Sequence, residues 1–101
     1  MPTDARARAI AALRFRALGD ETRLLLLELL SPGEQCVGDL MDRTGLGQSL
    51  VSHHLRTLRT AGLVHARRDG RWIYYSLAEP ALSATRAFVF EIERVPDVAS
   101  T

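Results

Sequence analysis

The stretch Thr44-Gly45-Leu46-Gly47-Gln48-Ser49-Leu50-Val51-Ser52-His53-His54-Leu55-Arg56-Thr57-Leu58-Arg59-Thr60-Ala61-Gly62 decides the fold. Val51, Leu55 and Leu58 recur at i, i+4 and i+7, the spacing of one face of an α-helix. That spacing predicts a helix over residues 48–61, ended by Gly62 where a C′ glycine belongs. Residues 44–47 before it form a tight turn containing glycine. Before the turn a short helix over 37–43 directs Leu40 and Met41 inward. Two helices joined by such a turn make a helix-turn-helix.

Working outward from there, residues 64–68 and 71–77 are rich in strand formers, Trp72, Ile73, Tyr74 and Tyr75 among them, and flank Asp69-Gly70. Asp-Gly between such runs signals a hairpin, and a type I′ turn would require positive φ at both residues. Pro80 suits the first turn of a last helix reaching Val95, and residues 96–101 read as frayed. Toward the N-terminus, Ala, Leu and Arg over residues 4–18 favour a first helix, stopped near Gly19. Asp20 is a good N-cap for a second helix over residues 21–30. Six leucines, Leu24 to Leu27 with Leu29 and Leu30, wrap that helix so fully that it reads as the buried central rod. Residues 34–37 leave room for one brief extra strand. The fold class is therefore mainly α with a small β-hairpin: one domain over residues 1–101, about five helices and a two- or three-stranded wing, a winged helix-turn-helix.

The 101 residues suffice for one core, and 47% apolar content favours an ordered globule. The longest apolar run, Leu24 to Leu27, is far too short to cross a bilayer, and no secretory leader is legible. No membrane partner is therefore expected. The single cysteine, Cys36, suits a reducing cytoplasm. Net charge is only +1, but residues 43–77 hold six arginines against Asp69 alone, while the rest of the chain is net acidic. A basic middle between acidic ends is the electrostatic footprint of a nucleic-acid reader.

Once the apolar stripe is set aside, Gln48, Ser49, Ser52, His53, Arg56 and Arg59 occupy the outer face of the helix over 48–61. These side chains hydrogen-bond base edges or phosphates, and a helix so placed enters the major groove. Arg67, Arg68 and Arg71 surround the hairpin tip, within reach of an adjacent minor groove or the backbone. Phe88, Val89 and Phe90 are consecutive in the last helix, with Leu82, Ile92 and Val95 nearby. Three successive apolar residues sweep about 200° of a helix, which one core face does not bury. With Ile10 and Leu13 of the first helix they point to a homodimer, whose twofold would set two reading helices on neighbouring half-sites.

Gly19-Asp20-Glu21-Thr22-Arg23, the run from Val51 to Val64, and Arg67-Arg68-Asp69-Gly70-Arg71-Trp72-Ile73-Tyr74-Tyr75-Ser76-Leu77 together resemble the ArsR/SmtB family of small regulators over about residues 10–95. The resemblance implies a homodimeric transcriptional regulator, bound as a repressor to a double-stranded DNA operator near its own promoter and often released by a metal. The chain departs from that pattern at the metal sites. Where arsenic sensors of the family carry Cys-Val-Cys-Asp-Leu, it reads Cys36-Val37-Gly38-Asp39-Leu40, with one thiol instead of two. The last helix has Glu91 and Glu93 but no histidine, so the zinc-type site of the family is also incomplete.

The donors left are Cys36, Asp39, His54 and His65, a nitrogen- and oxygen-rich set that would suit Ni²⁺, Zn²⁺ or Co²⁺ better than arsenic. The structural alternatives are a small apolar role for Cys36 and a half-buried His54 hydrogen-bonded to the scaffold. A co-regulator protein, a small ligand or oxidation of Cys36 are other inputs. The competing class is a winged-helix module binding RNA or a protein through Trp72, Tyr74 and Tyr75. An enzyme is not expected, because Cys36 and the histidines have neither an orienting third group nor a glycine-rich phosphate loop.

Overall fold

The computed structural model describes residues 4–94. The expectations for Val95 and for residues 96–101 lie outside them. In chain order the elements are α1 (Ala5–Leu18), α2 (Glu21–Leu30), β1 (Gln35–Cys36), α3 (Val37–Thr44), α4 (Gln48–Thr60), β2 (Val64–Asp69), β3 (Trp72–Leu77) and α5 (Glu79–Arg94). The strands form one antiparallel sheet in the order β1-β3-β2. The brief extra strand therefore exists, pairing Gln35 with Tyr75 and Cys36 with Tyr74. No helix among the described residues is long and apolar enough to cross a membrane.

Local chemistry places the boundaries. Asp4 caps α1 by accepting from the N–H of Ala7 at 2.7 Å, and Asp20 caps α2 by accepting from that of Arg23 at 3.1 Å. Gly45 ends α3 in the left-handed region at φ 72°, its N–H donating to the Met41 carbonyl. Gly62 follows the end of α4 at φ 77°.

The core gathers Leu26, Leu27 and Leu30 of α2, Leu40 of α3, Val51, Leu55 and Leu58 of α4, and Leu63, Val64 and Tyr75 from the sheet side. Burying one such leucine contributes about 1.5–3 kcal/mol, so this junction of α2, α3, α4 and wing fixes the orientation of α4.

Two expectations are corrected. The α2 helix is not enclosed all round: Leu24 and Leu25 are exposed at 45% and 41%. A fully apolar circumference does not say which of its sides this chain's own core covers. The hairpin turn is shifted by one residue. Asp69 pairs with Trp72, so the central residues are Gly70 and Arg71. Only Gly70 has positive φ, at 62°. That is the type II′ pattern, with glycine at the first central position, and not type I′.

Candidate nucleic-acid interface

The turn before α4 is held by one hydroxyl. Thr44 Oγ1 donates to the Leu40 carbonyl at 2.8 Å and accepts from the Leu46 N–H at 3.2 Å. Gly47 then starts α4 without a side-chain cap, so its first-turn N–H groups are left for an outside acceptor. At the far end, Arg14 Nε of α1 donates to the Ala61 carbonyl at 3.3 Å, a cation at the negative end of the helix.

The inner flank of α4 is pinned through His54, which is buried. Arg23 is the bracket. Its Nε donates to the Ala17 carbonyl at 2.6 Å and one terminal nitrogen donates to the Arg16 carbonyl at 3.3 Å. The other lies 3.1 Å from His54 Nδ1. A guanidinium only donates, so Nδ1 accepts there and the ring proton sits on Nε2. Asp20 stands 3.8 Å from the same nitrogen. Its carboxyl is held below the usual carboxylate range, chiefly by the backbone N–H of Arg23. His54 is thus tied to the end of α1 and the start of α2.

On the outer side, Gln48, Ser49, His53, Arg56 and Arg59 are exposed and Ser52 is half-buried. Continuing from His53 by four and seven residues adds Thr57 and Thr60, which the reading of the sequence left out although the helical period was enough to find them. The wing stands beside this face. A groove of about 260 Å³ runs between Gln48 and Ser52 of α4, Arg71 and Trp72 of the hairpin, and α3. Helix face and wing tip therefore make one continuous surface. Trp72 is 55% exposed there, whereas Tyr75 is buried in the core.

The wing arginines differ from one another. Arg67 forks onto Glu34, Nε to Oε2 at 3.0 Å and a terminal nitrogen to Oε1 at 2.7 Å. Its guanidinium also lies 4.7 Å from the Tyr74 ring centroid. The hydrogen bond from Arg67 is the main cause that holds the Glu34 carboxyl below its ordinary range, and the same bond raises Arg67. Arg67 is thus engaged in anchoring β2 to the segment before β1. The side chains of Arg56, Arg59, Arg68 and Arg71 make no hydrogen bond or ion pair among the described residues.

The proposed dimer residues separate into two groups. Ile10, Leu13, Val89 and Ile92 are exposed, as are Phe15 and Phe90. Phe88 is half-buried and meets Phe15 edge-on, ring centroids 6.1 Å apart, which joins α1 to α5. Leu82 packs against the core instead.

The metal candidates do not gather. Cys36 is half-buried at the start of α3, Asp39 and His65 are exposed, and His54 is bound to Arg23. Among the described residues no group of three or more His, Cys, Asp or Glu is placed to hold an ion. The described residues of one chain therefore do not supply a complete site by themselves.

Residues 20–66 match the family described as bacterial regulatory protein, arsR family. An uncharacterized HTH-type transcriptional regulator of Methanocaldococcus jannaschii is 39% identical over 83 residues, 81% of this chain and 93% of that protein. A probable mercury resistance operon repressor of Streptomyces lividans is 42% identical over 69 residues, 68% of this chain and 55% of that protein. The chain spans about half to two thirds of several curated relatives it matches. The structure of HlyU from Vibrio cholerae superposes with a TM-score of 0.70 at 32% identity, covering 92% of this chain and 98% of that one. These similarities agree with the fold and the basic surface: the chain belongs to the arsR family of bacterial regulatory proteins, and its class is transcription regulation and not enzymatic chemistry.

Proposed function

We propose that the chain acts as a homodimeric repressor that reads an operator through α4 and grips the flanking backbone with its wing. The observation that carries this reading is the continuity of two surfaces. The outer face of α4 presents Gln48, Ser49, Ser52, His53 and Arg56, and the groove beside it is walled by Arg71 and Trp72. B-DNA admits a helix only in its major groove, about 12 Å wide. With α4 seated there, the wing lies over the next stretch of backbone. Arg68 and Arg71 supply the free cations of the wing, and Arg67 holds it in place from Glu34. The exposed apolar surface of α1 and α5 supports the dimer, because Phe90 and Ile92 are 57% and 62% exposed.

Release of the operator by a metal is the finer part of the proposal, supported by the mercury resistance repressor among the relatives. The donors Cys36, Asp39 and His65 would be completed across the dimer, since the described residues of one chain gather no set of three. Ni²⁺ and Zn²⁺ suit such donors. Titration of the purified dimer with each ion, read by calorimetry and by loss of DNA binding, tests this part.

The main test is a mobility shift with the DNA upstream of the protein's own gene, in excess competitor DNA and at several salt concentrations. Binding that survives competitor and weakens steeply with salt is expected. Equal affinity for all duplexes, or preference for single-stranded RNA, would overturn the reading.

A further inference from the structure

Besides the groove beside the wing, a second depression of about 400 Å³ borders α4, between it, the C-terminal half of α1 and the start of α2. Arg16, Arg23, His53 and Arg56 line it, with Thr57 and Thr60. No acidic side chain is among its lining residues. The nearby carboxylate of Asp20 is occupied in capping α2 and stands 3.8 Å from His54 on the inner flank.

The two depressions occupy opposite flanks of one helix. Residues on a helix advance about 100° each, from 3.6 per turn. Gln48 and Ser52 therefore face one flank, toward Arg71 and Trp72, while His53 and Thr57 face the other, with Ser49 and Arg56 between. A helix lying in the major groove has a sugar-phosphate strand on each side. The wing serves one strand, and this cleft faces where the other would run.

We propose that the cleft takes a phosphate group. A phosphate carries negative charge and offers chiefly acceptor oxygens, and the lining offers cations and donors. Arg16 and Arg56 have no side-chain hydrogen bond among the described residues. The Arg23 guanidinium makes three hydrogen bonds. Of its five N–H groups two remain. The hydroxyls of Thr57 and Thr60 add neutral donors, although that of Thr57 already reaches the His53 carbonyl at 3.2 Å. The phosphate is either that of the DNA backbone, in which case the inference rests on the proposed DNA binding, or that of a free phosphorylated molecule. A free molecule would compete with DNA, because His53 and Arg56 belong to both surfaces.

Two measurements on the full chain distinguish these sources. The first is the salt dependence of binding to two unrelated duplexes, for the wild type, Arg16→Ala and, as the wing reference, Arg68→Ala. The second is NMR titration with inorganic phosphate against chloride at matched ionic strength, following the amides of Thr57 and Thr60. A slope of log K against log[salt] shallower by about 1 in Arg16→Ala, on both duplexes, identifies a backbone phosphate. Phosphate-specific shifts that vanish in Arg16→Ala while the slope is unchanged identify a free ligand. Unchanged slope together with no phosphate-specific shift overturns the proposal, while Arg68→Ala still reports whether the wing binds DNA. If the wild type binds no duplex, the proposed function fails, and the cleft stands or falls on the phosphate titration. Should Arg16→Ala melt early, Arg16→Gln, which keeps most of the stem and removes the charge at an exposed position, replaces it in both measurements.

Discussion

Two exposed surfaces of this small chain have opposite chemistry. The outer side of α4 is polar and cationic, with Gln48, Ser49, His53, Arg56 and Arg59 open to solvent. The surface built by α1 and α5 is apolar, with Ile10, Leu13, Phe15, Val89, Phe90 and Ile92 equally open. Exposure alone does not separate them. The first surface has unpaired cations whose natural complement is a polyanion. The second has side chains whose exposure to water costs about 25 cal/mol per Å² of apolar area, so its complement is another apolar surface. In the proposed dimer a second copy of the chain would provide one, and its twofold would bring two copies of the first surface to one duplex.

The largest effect is expected where the two surfaces depend on each other. Phe90→Asp places a charge in the apolar surface, 30 residues after the last turn of α4, and touches no proposed DNA contact. Sedimentation should give half the wild-type mass, and operator affinity should fall roughly 10²–10⁴-fold as the second half-site is lost. A Phe90→Asp dimer with full affinity would break the link between the surfaces. Next is Gln48→Ala, which should relax preference at one base pair by about 1–3 kcal/mol. Competition with single-base operator variants checks this, and unchanged selectivity would move base reading elsewhere along α4. Arg56→Ala should weaken binding to every duplex alike and make the salt slope shallower by about 1. A changed base preference would instead make Arg56 a reader of sequence.

The smallest effect is expected at Glu34, which clasps Arg67. The Glu34 carboxyl is held below its ordinary range by that bond. A lowered folded-state value means that the contribution is in place above the ordinary carboxylate range and is lost as pH falls through the lowered value. Fluorescence of Trp72, the single tryptophan, reports on the wing. An acid step in the wild type that is absent in Glu34→Gln is expected; the same step in both would place the titrating group elsewhere.

The legibility of these regions in the sequence differed for physical reasons. The α4 helix was plain because Val51, Leu55 and Leu58 follow the helical period and glycines close both ends. The capping role of Asp20 was equally local. The hairpin turn was misplaced by one residue because register depends on the pairing of two strands, and Asp69 joined the ladder opposite Trp72. Leu24 and Leu25 read as buried because composition cannot tell a chain's own core from its surface. At the wing, Arg67, Arg68 and Arg71 look alike in the sequence. Arg67 is set apart by Glu34, 33 positions earlier, a contact only the fold creates. The cleft beside Arg16 was illegible for the same reason, since its lining comes from three separated helices.

The account is tested most directly by NMR mapping of a duplex from the protein's own upstream region onto the chain. Shifts concentrated at Gln48, Ser49, Ser52, His53, Arg56 and the Arg68–Arg71 tip, with the apolar residues Ile10, Val89, Phe90 and Ile92 unaffected, are the predicted result. Shifts confined to α1 and α5, or spread evenly with none on α4, would contradict it.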